Sequence, residues 1–591
     1  MNIEQEIRNA TIGALKELYN LAFEGDKLTV NVTPPEFSGD FSVVTFPLSK
    51  MVRKSPDVIA NEIGNYLKAH IKPVDSFSVI KGYLNLTVTN EYWLMFLKEN
   101  SARAEFGRQP ASGKKIVLEY CGPNTNKPLH LGHVRNMLLG YSLSNILQFN
   151  GHDVTRVNIY NDRGIAICKS MVAWLRSGMN ETPVSSGIKG DHLVGNYYVE
   201  YDRIFKKEKE ELMKKGMSEE EAERQAPVYK EAQEMLRKWE AHDRETLDLW
   251  SKMNSWVYAG FEQTYKTIGV SFDKNYYESE TYVLGKNLVL EGLEKGVFYK
   301  KEDGSVWVNL SDKGLDEKVL LRSDGTSVYL TQDLGTAQMR YDEFKMDQSI
   351  YVVANEQDYH FQVLKLTLEK LGKPYASGIY HLSYGMVDLP SGKMKSREGT
   401  VVDADDLLDE MFATAEKHTR ELGKIEEFNE AEARELFRKI GLGALKFFIL
   451  KVDPKKRMLF DPNESIDFHG NTGPFIQYTF ARISSVLRKA GTADFSVSDN
   501  YSPNKEEKEL LVQLHQYPST VKDAGAAYSP SLIANYAYGV AKTFNKFYTD
   551  YSILNAESPE AKGFRLALSR FTANVIKSAL GLLGIEAPER M

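Results

Sequence analysis

The sequence predicts an α/β protein whose core is built on a parallel sheet. A helical insertion interrupts the core, a small α+β unit precedes it, and an all-helical bundle follows. Three stretches carry this expectation. In the first, Ile116, Val117 and Leu118 form a short apolar, partly β-branched run between Gly113 and Gly122, which reads as a strand. A polar loop follows, then a helix with Val134, Leu138 and Tyr141 on one face, ending at Asn150-Gly151, then a second strand over residues 153–159. Strand, helix, strand at this spacing is a βαβ unit. In the second, residues 349–354 are apolar and β-branched and run into the polar cluster 355–360; open α/β sheets bind ligands at such carboxyl ends. In the third, residues from about 404 onward keep a helical period, as in Phe564, Leu568, Phe571, Val575 and Leu582.

At 591 residues the chain is too long for a single core. Its expected parts are residues 1–110 (α+β), 111–400 (the α/β core, with the insertion at about 189–260), 401–435 (a connection) and 436–591 (helical). Hydrophobic residues make up 42% and charged residues 26%, as in ordinary globular chains. No apolar stretch approaches a membrane span. The amino terminus is charged and helix-like rather than a signal peptide. Two cysteines, Cys121 and Cys168, exclude a disulfide framework and a cysteine-based zinc site. A cytoplasmic monomer with no membrane contact is expected. The net charge of −7 counts against a dedicated nucleic-acid binder but leaves room for a local basic face.

Along the amino-terminal unit, Ile3, Ile7, Ile12 and Leu15 suggest a helix, residues 41–46 and 83–88 alternate like strands, and residues 57–68 have a helix period. Residues 111–114 form a linker. The mixed-charge run 206–224 reads as a solvated helix of the insertion, with Trp239, Trp250 and Trp256 anchoring it to the core. Further on, residues 304–309 alternate like a strand, and Asp324-Gly325 is expected to turn a hairpin between 319–321 and 327–330.

The chemistry concentrates in residues 117–133. Pro128 suits a first helical turn, where a missing N–H costs nothing. His130 and His133 then lie in the opening turns, beside free backbone N–H groups and the positive end of the helix dipole, a site for an anion such as a triphosphate. Gly132 leaves room for a flat ring on the backbone. Two competing readings are a metal pair and two ordinary helix histidines. The metal pair lacks a third ligand at a usual spacing.

The stretch Glu119-Tyr-Cys-Gly-Pro-Asn-Thr-Asn-Lys-Pro-Leu-His-Leu-Gly-His133 resembles the signature of class I aminoacyl-tRNA synthetases, in the version found in arginyl-tRNA synthetases. Far downstream, Gly392-Lys-Met-Lys-Ser-Arg-Glu-Gly399 resembles their second signature loop. Lys393, Met394, Arg397 and Gly399 match. Lys395 replaces the usual serine, and Ser396 stands where most classes place the second lysine. Residues 329–333 resemble the Tyr-x-Thr-x-Asp element, residues 470–478 with Ala481-Arg482 the anticodon-domain motif, and residues 583–591 the family ending.

The resemblance implies a Rossmann-like catalytic core and an anticodon-binding helical bundle. The implied substrates are ATP with Mg²⁺, L-arginine and tRNA(Arg), with no zinc and no organic cofactor. It assigns ATP to Pro123, Asn124, Lys127, His130, Gly132, His133 and His360 and to the loop residues Lys393, Met394 and Ser396. Catalytic charge stabilisation falls to Lys127, the two histidines, Lys393, Lys395 and Arg397. Lys127 is thought to compensate for the departure at Lys395. The planar guanidinium of arginine needs acids, and Asp333 and Glu119 supply them, with Asn124, Gln357 and Tyr329 completing the pocket. Without the motif, Asp333 reads as a helix cap. The implied tRNA contacts are Tyr83 and Asn85 at the elbow, and Phe475, Gln477, Tyr478 and Arg482 at the anticodon, with the basic run 451–457 on phosphates. Tyr83 reads equally well as a core residue. Another class I specificity, a smaller nucleotidyltransferase and a non-catalytic tRNA-binding relative are the alternatives.

Overall fold

The computed structural model describes residues 3–23, 28–34, 36–388, 402–421, 423, 425, 428–491 and 495–591. The amino-terminal unit carries α1 (Ile3–Tyr19), β1 (Val30–Val32), β2 (Phe41–Val44), α2 (Pro56–His70), β3 (Val74–Ile80), β4 (Tyr83–Val88) and α3 (Asn90–Asn100). Its antiparallel sheet runs β1-β2-β4-β3. Thr45 ends β2, and residues 46–48 turn into a 3-10 helix with Pro47 inside it, because proline cannot donate to a ladder. α3 docks this unit on the helical bundle: Asn90 donates to Ser502 at 2.9 Å, and the Tyr92 hydroxyl lies 3.2 Å from His515 Nε2.

The core begins with β5 (Lys115–Glu119), α4 (Leu131–Phe149), β6 (Asp153–Tyr160) and α5 (Ile165–Ser177). The insertion contributes α6 (Gly190–Lys214), α7 (Pro227–Glu240) and α8 (Arg244–Ile268). The chain returns through β7 (Lys274–Tyr277), α9 (Lys286–Glu294), a small antiparallel sheet of β8 (Phe298–Lys300), β9 (Val306–Val308) and β10 (Lys318–Leu321), then α10 (Tyr329–Phe344), β11 (Gln348–Ala354), α11 (Asp358–Lys370), β12 (Ile379–Tyr384) and β13 (Val387–Asp388). The main sheet has the order β12-β11-β5-β6-β7 and every neighbouring pair is parallel. Chain direction reverses across the sheet between β5 and β11, so the crevice above that boundary is the expected ligand site.

α4 is buried on nearly all sides, because it lies between the sheet and the bundle; Ser142 donates to the Leu582 carbonyl at 2.9 Å. Asp162, just past β6, ties the insertion down. Its backbone carbonyl accepts from Trp250 Nε1 at 2.7 Å, and its carboxylate accepts from the Tyr258 hydroxyl and the Ser279 amide, both at 2.8 Å. The other insertion tryptophans pack as edge-to-face pairs, Trp239 on Trp250 and Trp256 on Trp174. The bundle follows as α12 (Ala404–Glu421), α13 (Glu430–Leu450), β14 (Met458–Leu459), α14 (Gly473–Ala490), α15 (Lys505–His515), α16 (Tyr517–Ala526), α17 (Pro530–Asp550) and α18 (Pro559–Leu582). Phe564, Leu568, Phe571 and Val575 form its buried face.

Two local expectations fail for tertiary reasons. Pro128 does not open a helix: α4 starts at Leu131, since residues 129–131 pair in extended form with 402–404. Leu131 N donates to Val402 O and Ala404 N to Leu129 O, both at 3.0 Å. Asp324-Gly325 does make a tight turn, but its second arm is a single bridge at Ser327, and α10 begins at Tyr329. Thr331 then reaches back to the Leu320 carbonyl through its hydroxyl, which satisfies a β10 acceptor that a second strand would otherwise have taken.

α10 is seated by a backbone-to-backbone contact. Gly285, at φ +91°, has space for no side chain: a Cβ there would lie 1.9 Å from the Thr331 carbonyl oxygen. Gly285→Ala should destabilise the protein by about 2 kcal/mol or more, from the left-handed backbone and the clash together. Thermal denaturation of the two proteins checks this, and an unchanged midpoint would show that α10 can shift without strain.

Candidate active site

The loop leaving β5 is held by side-chain amides. Cys121, at φ +83°, donates its N–H to Asn136 Oδ1 at 2.6 Å, and Gly122 donates to Asn158 Oδ1 at 3.0 Å. The Asn161 side chain donates to the Gly122 carbonyl at 3.0 Å. Burial pushes the Cys121 thiol up to about 12, so it is no nucleophile at neutral pH.

His130 is the residue that caps α4. Its Nδ1 accepts from Gly132 N at 3.1 Å, and His133 Nδ1 accepts from His130 N at 3.2 Å. The two rings lie 3.9 Å apart. Burial, reinforced by nearby Lys127, pushes His130 down to about 4; burial, His130 and Lys127 push His133 well below its ordinary value. Both rings are therefore neutral at pH 7. Because each Nδ1 accepts, each proton sits on Nε2, leaving two N–H donors for an anion. This changes the expected mode of anion binding. The amides of His130, Leu131 and Gly132 are already bonded, so the side chains and Lys127, rather than free backbone N–H groups, supply the donors. It also changes the role of Gly132. A Cβ there would lie 2.9 Å from His130 Cε1, so the glycine makes room for the capping imidazole.

Lys127 lines a cavity of about 440 Å³ with Asn124, His130 and Asp403, closed on the far side by His192 and Asn196 of α6. Burial lowers the Lys127 pKa. Pro123 anchors the loop through its carbonyl, which accepts from Asn161 N at 2.9 Å. Asp191, His192 and Asp405 bring ligand atoms within 4.8 Å of one another. Lys189 Nζ occupies that cluster, 2.6 Å from Asp405 and 3.2 Å from Asp191, so it is an ion-pair pin between the start of α6 and the first turn of α12.

A second cavity, about 480 Å³, lies above the β5–β11 boundary. Tyr329, Asp333, Thr336 and Arg340 line it from one face of α10, at helical spacing. Asp333 is not a cap but sits one turn inside α10, with its Oδ2 2.6 Å from His360 Nε2. That hydrogen bond raises the His360 pKa above its ordinary value. His360 was expected at ATP; the structure turns it onto Asp333 instead. Glu119 is paired with Arg340, a fully buried guanidinium between the rings of Tyr276 and Tyr351, 4.9 and 5.7 Å from their centres. Tyr329 is 76% exposed at the cavity rim, and Gln357 lies on the short 3-10 turn after β11. Asn124 faces the Lys127 cavity rather than this one. Sequence reasoning missed Asn136, Arg340 and Glu278. Burial pushes Glu278 up to about 7, with Asp162 and Asp333 adding and Arg163 opposing. Its signal was a carboxylate directly after β7, at the carboxyl edge of the sheet.

Lys393, Met394, Lys395, Ser396, Arg397 and Gly399 lie outside the described residues. The flanks of that segment are placed: β13 pairs with β14, and residues 402–404 pair with 129–131 beside His130.

In the bundle, Tyr478, Arg482, Arg488, Tyr548, Arg590 and Met591 line a cavity of about 520 Å³. The Arg482 guanidinium lies 4.8 Å from the Tyr478 ring and 5.1 Å from the Tyr548 ring, and it donates to Asn545. Tyr548 and the chain terminus come from distant segments and were not foreseen. Phe475 is half-buried, 5.4 Å from the Tyr538 ring. Two expected RNA contacts are corrected. Gln477 is fully buried, donating to the carbonyls of Lys439 at 2.9 Å and Glu586 at 2.8 Å. Asn85 is fully buried and accepts from the Ser42 hydroxyl. Gln477 faces inward beside the outer Tyr478, whereas Asn85, on the same face of β4 as Tyr83, is covered by Ser42 and Gly39. Tyr83 is half-buried, edge-on to Phe46 at 5.7 Å.

Three family descriptions match the chain: "Arginyl tRNA synthetase N terminal domain" over residues 2–88, "tRNA synthetases class I (R), catalytic domain" over 98–461, and "DALR anticodon binding domain" over 476–591. The arginine–tRNA ligases of Parabacteroides distasonis and Bacteroides thetaiotaomicron are 53% and 54% identical, with all of both chains covered. The arginyl-tRNA synthetase of Thermus thermophilus superposes with a TM-score of 0.81 at 25% identity, over the whole of both chains. The Plasmodium falciparum structure shares the fold, with a TM-score of 0.78 at 18% identity, over all of this chain and 99% of that one. With its amino-terminal, catalytic and anticodon-binding parts all matched in order, the chain belongs to the class I arginyl-tRNA synthetases.

Proposed function

We propose that this arginyl-tRNA synthetase activates arginine across the β5–β11 crevice. ATP lies toward Lys127, His130 and His133, and arginine lies in the acid-lined cavity beside it. The arginine carboxylate attacks the α-phosphorus, giving arginyl-adenylate and pyrophosphate. A hydroxyl of the terminal adenosine of tRNA(Arg) then takes the arginyl group and AMP leaves. The carrying observation is a carboxylate pair, Asp333 and Glu119, in one cavity at the carboxyl edge of the sheet, together with two histidines kept neutral by burial at the start of α4. Neutral donors and one lysine suit a triphosphate whose charge shifts during reaction, and catalysis is positioning and charge stabilisation. By the sequence motif, Lys393, Lys395 and Arg397 add charge on the pyrophosphate side.

Arg340 holds Glu119 in place, so Asp333 is the acid that takes the substrate guanidinium, with Tyr329 on its stem and Gln357 toward its amino group, while Asn124 stays on the ATP side with Lys127. Mg²⁺ would travel with the triphosphate. Asp403 is the only carboxylate residue among the described lining of the Lys127 cavity, and it already accepts from the amides of Asp405 and Asp406. The residues present thus fit an ion held mainly by phosphate oxygens and water. The anticodon is read at the Tyr478–Arg482–Tyr548 stack by unstacked bases, and Tyr83 meets the tRNA elbow.

Asp333→Asn should cost about a hundredfold in kcat/KM for arginine, since it removes the charge that pairs with the substrate guanidinium. KM for ATP should stay within about threefold, and citrulline, which carries no charge, should lose less than arginine. Aminoacylation kinetics with all three ligands test the reading; an arginine kcat/KM equal to wild type would refute it.

Lys127→Ala should slow adenylate formation by about a hundredfold, roughly 3 kcal/mol of lost charge stabilisation. Arginine affinity should hardly change. Single-turnover ATP consumption combined with arginine titration separates the two effects.

Arginine binding should also depend on His360. Below its raised pKa the imidazolium occupies Asp333 and competes with the incoming guanidinium. Raising the pH through that value removes the competitor, so arginine should bind more tightly at pH 8 than at pH 6, with proton release near the midpoint. Calorimetry in buffers of different ionisation heat would detect this. His360→Asn should flatten the profile, and a wild-type affinity that falls with pH would contradict the assignment.

A further inference from the structure

We propose that Arg135 is a positioning residue for adenylate formation. Its guanidinium fixes residues 384–388, from which the chain runs into Lys393–Arg397, to the helix of His130 and His133 and to the basic turn 453–457. The proposal rests on the activation reading above.

Arg135 lies two residues past His133 and is completely buried. Nη1 donates to the Met386 carbonyl at 3.4 Å, and Nη2 donates to the carbonyls of Pro454 at 3.1 Å and Lys456 at 2.8 Å. The Tyr384 ring lies 5.9 Å away. Among the described residues, no carboxylate forms a salt bridge with this guanidinium. Its hydrogen bonds go to carbonyls only, with Asp453 of the same turn and Tyr384 adding Coulombic support from a distance; a cation buried in this way is a costly means of packing a helix against a turn, and an apolar side chain of similar volume does so more cheaply. What the guanidinium adds is a rigid planar fork that sets several acceptors at fixed positions.

The same seam is closed from other directions. Gly385 N donates to the Pro454 carbonyl at 2.9 Å, and a Cβ on Gly385 would lie 2.6 Å from the Arg457 amide nitrogen. β13 and β14 pair in parallel through Val387–Met458 and Asp388–Leu459. Arg457 Nη2 donates to both carboxylate oxygens of Asp388, at 2.8 and 3.1 Å. On the outer side of the turn, Lys455, Lys456 and Arg457 are exposed. The strip entering the second signature is therefore bonded on one side to the first signature helix. On the other it is bonded to a turn whose exposed cations suit a polyanion. Fixing this strip bears on chemistry rather than on arginine binding, because neither Arg135 nor the turn lines the arginine cavity.

The test uses the full-length protein with Arg135→Met, Arg135→Lys and Arg457→Gln, the last at an exposed site where folding is not at stake. Arginine-dependent ATP–pyrophosphate exchange in the presence of tRNA(Arg), arginine affinity and thermal midpoints are measured for each. Arg135→Met should lower kcat of exchange about a hundredfold while arginine affinity stays within about threefold, and Arg135→Lys should recover about tenfold of that loss. Arg457→Gln should lower kcat about tenfold with the same unchanged affinity. If Arg135→Met does not fold, the other two variants decide. A kcat within about threefold of wild type in the folded variants overturns the proposal, as does a loss confined to arginine affinity or to the thermal midpoint. A wild-type protein with no arginine-dependent exchange would overturn the activation reading itself.

Discussion

The Asn136 side chain sits where the sheet parts. Its Oδ1 accepts from Cys121 N, and its Nδ2 donates to the Val352 carbonyl at 2.7 Å and lies 3.2 Å from the Tyr384 hydroxyl. β5, β11 and β12 end around this one amide. Where neighbouring strands lead their connections in opposite directions, the backbone groups past the last ladder bond lose their partners, and buried polar groups without partners are costly. Asn136 satisfies them from α4, and Asn158 does the same for Gly122 from β6. The loop from Cys121 to His130 is thereby fixed on both sides, and the positions of Lys127 and the histidine pair follow from it.

Charge in the site follows a single logic. Lys127 and the two histidines are pushed toward neutrality by burial, whereas Glu119 and Asp333 are acids each held by a basic side chain, Arg340 and His360. Glu119 has a buried guanidinium that cannot leave without exposing an unpaired charge. Asp333 has an imidazole on a part-buried edge that can give up its place. One carboxylate is thus permanently oriented and the other is exchangeable. A cationic substrate can then enter without the empty site holding two uncompensated negative charges side by side.

The bundle resolves the tension between an acidic chain and an RNA partner. The net charge of −7 is a sum over the whole chain and leaves room for a locally basic face. Locally, Arg482, Arg488 and Arg590 meet two tyrosines in one concavity, which is the arrangement that single-stranded bases favour. The α14 face that carries Tyr478 and Arg482 outward carries Gln477 inward, where it ties Lys439 to Glu586 and so holds the chain terminus at the same concavity.

The sequence by itself determined the βαβ start, the strand at 349–354 and the helical run of the bundle, because periods of two and of three to four residues are local properties that tertiary contacts seldom overturn. It also pointed to the first signature, to Asp333 and Glu119, which share one cavity, and to Tyr478 and Arg482, which share another, because those motifs are short and contiguous. Tertiary structure decided everything that depends on a partner far along the chain. Arg340 lies 221 residues from Glu119 and His360 lies 27 from Asp333, and no local pattern links them. Pro128 was kept out of α4 by the pairing of residues 129–131 with 402–404, and Tyr329 and Leu330 open a helix instead of extending a strand because α10 packs against Gly285. Asn85 and Gln477 turned inward for the same reason: a side chain in a strand or helix has two faces to choose from, and only the packed neighbours determine which of them is solvent.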